Sequence, residues 1–152
     1  MPSERNLRIV AALLAIAGIA VATYIVIAES GGGAPKCVVG GHGCQTVADS
    51  KYSELVGIDV AVIGICGYAV LLAAALLPGD AGRFGGFLTA LVGFGFSAYL
   101  TYLELFVIDA ICQWCVVSAV LMTFSLAAAT ARAFAYTGRE LGVPQIQSSH
   151  GR

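Results

Sequence analysis

Five cysteines carry most of the chemistry open to this chain: Cys37, Cys44, Cys66, Cys112 and Cys115. Cys112-Gln113-Trp114-Cys115 places two sulfurs close together at the expected start of a helix. There the free backbone N–H groups and the neighbouring sulfur both favour a thiolate, the nucleophile of disulfide exchange. Asp109 is placed to cap that helix, and its charge limits the expected acidification to a modest one. The pair suits redox or metal chemistry, and on a spanning helix it sets reactive sulfur where a lipid-soluble molecule reaches it. Cys37 and Cys44 flank Val38-Val39-Gly40-Gly41-His42-Gly43, whose glycines make the segment mobile. A disulfide between them is either a static staple or a carrier, one end meeting a soluble protein while the other swings toward the membrane. Cys37, His42, Cys44, Cys112 and Cys115 together also admit zinc, since Cys and His are its usual ligands, although the spacing matches no compact finger. Cys66, in Ile65-Cys66-Gly67, reads as a small inert hydrophobe.

The elements that position these sulfurs follow from composition. Of 152 residues, 59% are hydrophobic and 11% charged, with mean hydropathy +0.88. A soluble domain of this size cannot hide so much apolar surface, so soluble, disordered and nucleic-acid-binding classes are all disfavoured. The net charge of −1 gives no field for steering polyions. Four apolar stretches, about 9–28, 60–77, 84–107 and 113–133, meet the length a spanning helix needs. They are too long and too uniform for barrel strands. The expected fold is therefore an all-α membrane protein: a four-transmembrane-helix bundle in one domain, 1–152. Gly86, Ala90, Gly93, Ser97 and Thr101 form a small-residue face on the third span, suited to close helix packing.

Charge placement predicts the orientation. Arg5, Arg8, Arg83, Arg132 and Arg139 lie on one side, against Lys36 and Lys51 on the other. By the positive-inside rule both termini and the Pro78–Arg83 turn are cytoplasmic, and both redox segments are extracytoplasmic, where disulfides persist. The first span admits a second reading as a signal peptide, although its apolar stretch exceeds the usual length. The tail at 135–152 is polar, and its Ser148-Ser149-His150 end reads as disordered.

Two further polar features belong near the site. Asp49 or Ser50 suits the N-cap of a short helix over Lys51–Val56, lying across the bundle. Glu104 interrupts the third apolar stretch. An acid there is costly and often functional, so it either supplies protons or sits at the interface, bonded near Thr101 and Tyr102. His42 is a weaker proton-donor candidate.

The order of motifs resembles the vitamin K epoxide reductase family, particularly its bacterial and archaeal members that oxidise disulfide-forming proteins. The matching residues are Cys37, Cys44, Ser50, Gly57-Ile58 and Cys112-Gln113-Trp114-Cys115 followed by Val116-Val117-Ser118, over about residues 7–134. The resemblance implies an electron path from a secreted thioredoxin-fold (DsbA-like) dithiol partner to Cys37, through Cys44 to Cys112, and from Cys115 to a membrane quinone of ubiquinone, menaquinone or vitamin K type. It also implies Ser50, Trp114 and Cys115 at the quinone. Asp59 replaces a proline frequent in the family and is placed to cap the second span. Ala119 stands where animal members carry a quinone-bonding tyrosine, which disfavours epoxide reduction as the main activity. No fused thioredoxin domain is expected after the fourth span, so the partner is a separate chain.

Overall fold

A computed structural model describes residues 4–38 and 41–140, with side chains through residue 134. The reading of the 148–150 tail as disordered lies outside the described residues. The chain runs α1 (Glu4–Ser30), α2 (Gly43–Ala48), a hairpin of β1 (Glu54–Leu55) and β2 (Ile58–Asp59), α3 (Val60–Leu76), α4 (Asp80–Leu103), a π-helical turn (Glu104–Ile108) and α5 (Gln113–Glu140). Three helical stretches, Glu4–Ser30, Asp80–Ile108 and Gln113–Phe134, are long and apolar enough to cross a membrane, and α3 is a shorter apolar helix of 17 residues. This is the helical bundle that the apolar stretches require, because lipid offers no partner to a free backbone group.

The four long helices close a ring in which α1 and α4 each pack on both α3 and α5. Small residues allow the approach. The Tyr68 ring of α3 fills the space a side chain at Gly18 of α1 would take. Tyr68 is 1% exposed, and its hydroxyl donates to the Ser118 carbonyl of α5 at 2.8 Å. One aromatic side chain thus joins three helices. The small-residue face of α4 behaves as expected at its start: Ala90 is fully buried and Gly86 faces Ala74 of α3. Further along, Gly93 leaves room for Met122 of α5.

Several local expectations are corrected. The turn after α3 is shorter than Pro78–Arg83. Gly79, at φ 87°, reverses the chain in a conformation open to glycine, and α4 begins at once with Asp80. Arg83 is then helical and pairs with Asp80 at 3.1 Å and with Glu4 of α1 at 2.6 Å. Nearby, the Arg8 guanidinium donates to the free carbonyls of Ala75 and Leu76 that end α3.

The loop helix is also misplaced in the sequence reading. No helix covers Lys51–Val56; the short helix is α2, which carries Cys44. The Ser50 and Ser53 hydroxyls donate back to the carbonyls of Val47 and Ser50. Val56 and Gly57, at φ 57° and 77°, then make the two-residue turn that pairs Leu55 with Ile58. Asp59 does cap α3, its carboxylate accepting from the Ala61 N–H at 2.8 Å. Asp109 does not cap α5. It takes the left-handed conformation that ends the π-turn, and another carboxylate supplies what α5 needs.

Candidate active site

The four loop-end cysteines are brought together by three elements. Cys37 and Cys44 are joined in a disulfide, with Cα atoms 5.9 Å apart, while Cys112 and Cys115 are free thiols. Among the described residues, no three His, Cys, Asp or Glu side chains are grouped to hold a metal ion. Cys66 is also free, on an exposed face of α3.

Two contacts dock the loop on the start of α5. The Val38 N–H donates to Gln113 Oε1, and Trp114 Nε1 donates to the Lys36 carbonyl, both at 3.0 Å. The two residues between Cys112 and Cys115 therefore grip the backbone on each side of Cys37. Trp114 also packs on Tyr24 of α1, with ring centroids 4.8 Å apart. A third contact is closer still. The backbone of Gly43 lies against the Ile111 carbonyl so tightly that no Cβ fits between them. The next residues in each strand of that contact are Cys44 and Cys112, both 2% exposed.

Behind these sulfurs lies a cavity of about 680 Å³, within the range of small-molecule sites. Cys44, Cys112 and Cys115 line its loop end, and its walls are mainly apolar, with Ile25, Phe96 and Met122 among them. Leu88 and Val92 of α4 also line it and remain 52% and 73% exposed on the bundle surface. The cavity is thus bordered by residues that face lipid in a spanning bundle. Ser50, Tyr68 and Ser118 add hydroxyl groups to its wall, so its size and chemistry suit a quinone ring and the start of an isoprenoid tail. Ser50 and Cys115 both line this cavity, whereas Trp114 is not among its lining residues and donates its indole N–H to the Lys36 carbonyl.

A second, shallower cavity opens on the opposite side of the disulfide. It is lined by Cys37, Gly43, Asp109, Ile111 and Gln113. The Cys37–Cys44 bond thus spans from this groove to the inner cavity. Exposed Val38, Ile111 and Val116 lie at or beside the groove.

Electrostatics distinguish the two free thiols. The Cys115 thiol hydrogen-bonds Cys112 and pulls its pKa below the usual thiol value, helped by backbone N–H groups of Cys115 and Trp114 and opposed by burial and by Glu104. This agrees with the expected acid thiol at the helix start, although the opposing carboxylate is Glu104 rather than Asp109. Glu104 is 4% exposed and accepts from the Cys112 N–H at 3.0 Å. It does not bond near Tyr102 or Thr101, since the Thr101 hydroxyl donates to Ser97. His42 is exposed at the N-terminus of α2 with no capping side-chain bond.

Sequence reasoning missed the contacts of Gly43 and Gln113 and the place of Glu29 and Asp59 in the cavity wall. Gly43 had one signal, its place directly before Cys44. Glu29 and Asp59 had none, because they bound opposite ends of a long loop.

A disulfide beside a free Cys-x-x-Cys pair, facing an apolar cavity in a bundle of long apolar helices, defines the class of membrane thiol–disulfide proteins. The chain belongs to the vitamin K epoxide reductase family, whose model matches residues 9–130. That family is one of membrane oxidoreductases, which generally take a quinone as electron acceptor and typically work with thioredoxin-like partners.

Proposed function

We propose that this protein is a four-span membrane thiol oxidase passing electron pairs from a secreted thioredoxin-fold dithiol protein to a membrane quinone, so supporting disulfide formation. One observation carries this reading. Cys44, Cys112 and Cys115 line one apolar cavity, while Cys37, bonded to Cys44, lines the separate groove. Both termini are cytoplasmic in this scheme, α3 is the second span, and the residues 1–152 act as a single membrane domain with a polar tail.

The path is a series of thiolate attacks. A partner thiolate attacks Cys37 and frees Cys44. The partner's second thiol releases its disulfide and leaves Cys37 reduced. Cys44 then attacks Cys112 of an oxidised inner pair, and Cys37 closes on Cys44, leaving Cys112 and Cys115 as thiols. Cys115, beside the quinone, delivers the electron pair as the inner disulfide re-forms. The net reaction is dithiol plus quinone to disulfide plus quinol. Ser50 and Cys115 border the quinone site, whereas Trp114 positions the loop.

The test mixes the reduced protein in detergent with a short-chain quinone and, separately, with vitamin K epoxide. One quinol should form per inner pair, with Cys112 and Cys115 becoming disulfide-bonded by peptide mapping. Faster reaction with the epoxide favours epoxide reduction as the main activity, and inertness toward both compounds rejects the proposal.

The Gly43 contact yields a further expectation. In Gly43→Val the new side chain meets the Ile111 carbonyl, so α2 must move away from Cys112. A displacement near 1 Å costs about 100-fold in a reaction between positioned groups. Exchange between Cys44 and Cys112, followed by acid quench and thiol labelling, should slow by about that factor. Direct oxidation of a reduced inner pair by quinone should not change.

A further inference from the structure

Glu104 is the most enclosed acid of the site. It lines both cavities, so its side chain stands in the wall between the loop-side groove and the inner chamber. Its Oε2 accepts from the Cys112 N–H at 3.0 Å, and it lines the inner cavity together with Cys115. The π-turn sets it there: the Ala110 N–H and the Asp109 N–H both return to the Glu104 carbonyl. This folds the chain back and presents the residue's own side chain to Cys112, eight positions on. A buried carboxyl is costly, and one backbone hydrogen bond does not require an acid, since an amide would accept it equally. The cavity's other acids are Glu29 and Asp59, the latter capping α3, and Asp109 lines only the groove. Among the described residues, Glu104 is the acid that accepts from the Cys112 N–H, and it shares the cavity wall with Cys115.

We propose that Glu104 is the proton carrier between the Cys112–Cys115 pair and the quinone. The inference rests on the quinone-reducing function proposed above and assigns the proton path that this function needs. As Cys115 reacts, its thiol proton passes to the Glu104 carboxylate and from there to one quinone oxygen. As the Cys112 sulfur closes on Cys115, its proton follows by the same carboxylate to the other oxygen. Two S–H bonds break, one S–S bond and two O–H bonds form, and both electrons lost by sulfur reside in the quinol. Glu104 ends as it began, a carboxylate. Because it takes up the proton of a reacting thiol, it is a catalytic residue in this scheme.

The test uses the full chain in detergent, reduced beforehand and mixed with a short-chain quinone in single turnover. Glu104→Gln keeps the acceptor for the Cys112 N–H and removes the exchangeable proton. Its quinone-reduction rate should fall about 100-fold, the scale of a lost general acid–base group. The quinone concentration giving half-maximal rate should be unchanged, and Cys44–Cys112 exchange should not slow, because removing the carboxylate charge lifts its opposition to the Cys112 thiolate. Glu104→Asp, still an acid, should recover most of the loss. A Gln variant within twofold of wild type overturns the assignment. So does an equal slowing of exchange and quinone reduction, which marks a positioning role, or an Asp variant as slow as Gln. A wild-type protein inert toward quinone removes the proposed function itself, an outcome distinct from these.

Discussion

Cys115→Ala is expected to reduce quinone turnover to background, the largest loss of any single substitution in this chain. Two-electron reduction requires a second sulfur to close the disulfide, and Cys112 has no other free thiol on its own helical turn. Alanine is a good helix former, and Cys115 sits within α5, so the bundle should survive. The variant should also leave a chemical record. With Cys115 gone, Cys112 can attack Cys44 across the Gly43–Ile111 contact, and only the return attack of the freed Cys37 can release it. Alkylating that Cys37 thiol should therefore trap a Cys44–Cys112 disulfide on a non-reducing peptide map. Cys112→Ala should lose quinone reduction as completely, without that cross-link. Appreciable turnover in Cys115→Ala would show that electrons leave by a route not involving the helix-start pair.

The second large effect is selective. Cys37→Ala should cut oxidation of a thioredoxin-fold dithiol protein by about 100-fold or more, because the partner loses the sulfur that lines the groove and the proximity that speeds the attack. Cys37 lies in the open groove, whereas Cys44 and Cys112 are each 2% exposed. A folded protein cannot follow them inward, but a small dithiol can enter the cavity and reduce the inner pair directly. Turnover with the small dithiol should therefore stay within about threefold of wild type, a factor worth less than 1 kcal/mol of barrier. Parallel steady-state assays with the two reductants measure the difference. Equal losses would place Cys37 inside the common path and reverse the proposed relay order.

Both predictions rest on features of unequal visibility in the sequence. The long apolar stretches announce a helical bundle because lipid leaves a polypeptide few ways to satisfy its backbone. Their boundaries were less legible at polar ends. Asp80 and Arg83 read as turn residues, yet they form the first turn of α4 once Arg83 has Asp80 and Glu4 as partners. The loop misled more. Ser50 looks like a helix cap by type, but its hydroxyl bonds backward to Val47, and the helix precedes it. Nothing local decided between these arrangements, since serine suits both.

What the sequence alone determined was chemical identity and its broad setting: two cysteine pairs, apolar stretches long enough to span, and an acid placed at real cost near the second pair. These follow from residue type and spacing, which act over a few positions along the chain. The tertiary structure decided which groups meet. It set Gly43 against Ile111, turned Trp114 out to hold the loop and brought the Glu104 carboxylate to the Cys112 N–H. Those contacts depend on how α1, α4 and α5 pack and on one π-turn between helices, and pairings between segments distant in sequence are set by packing rather than by any local preference.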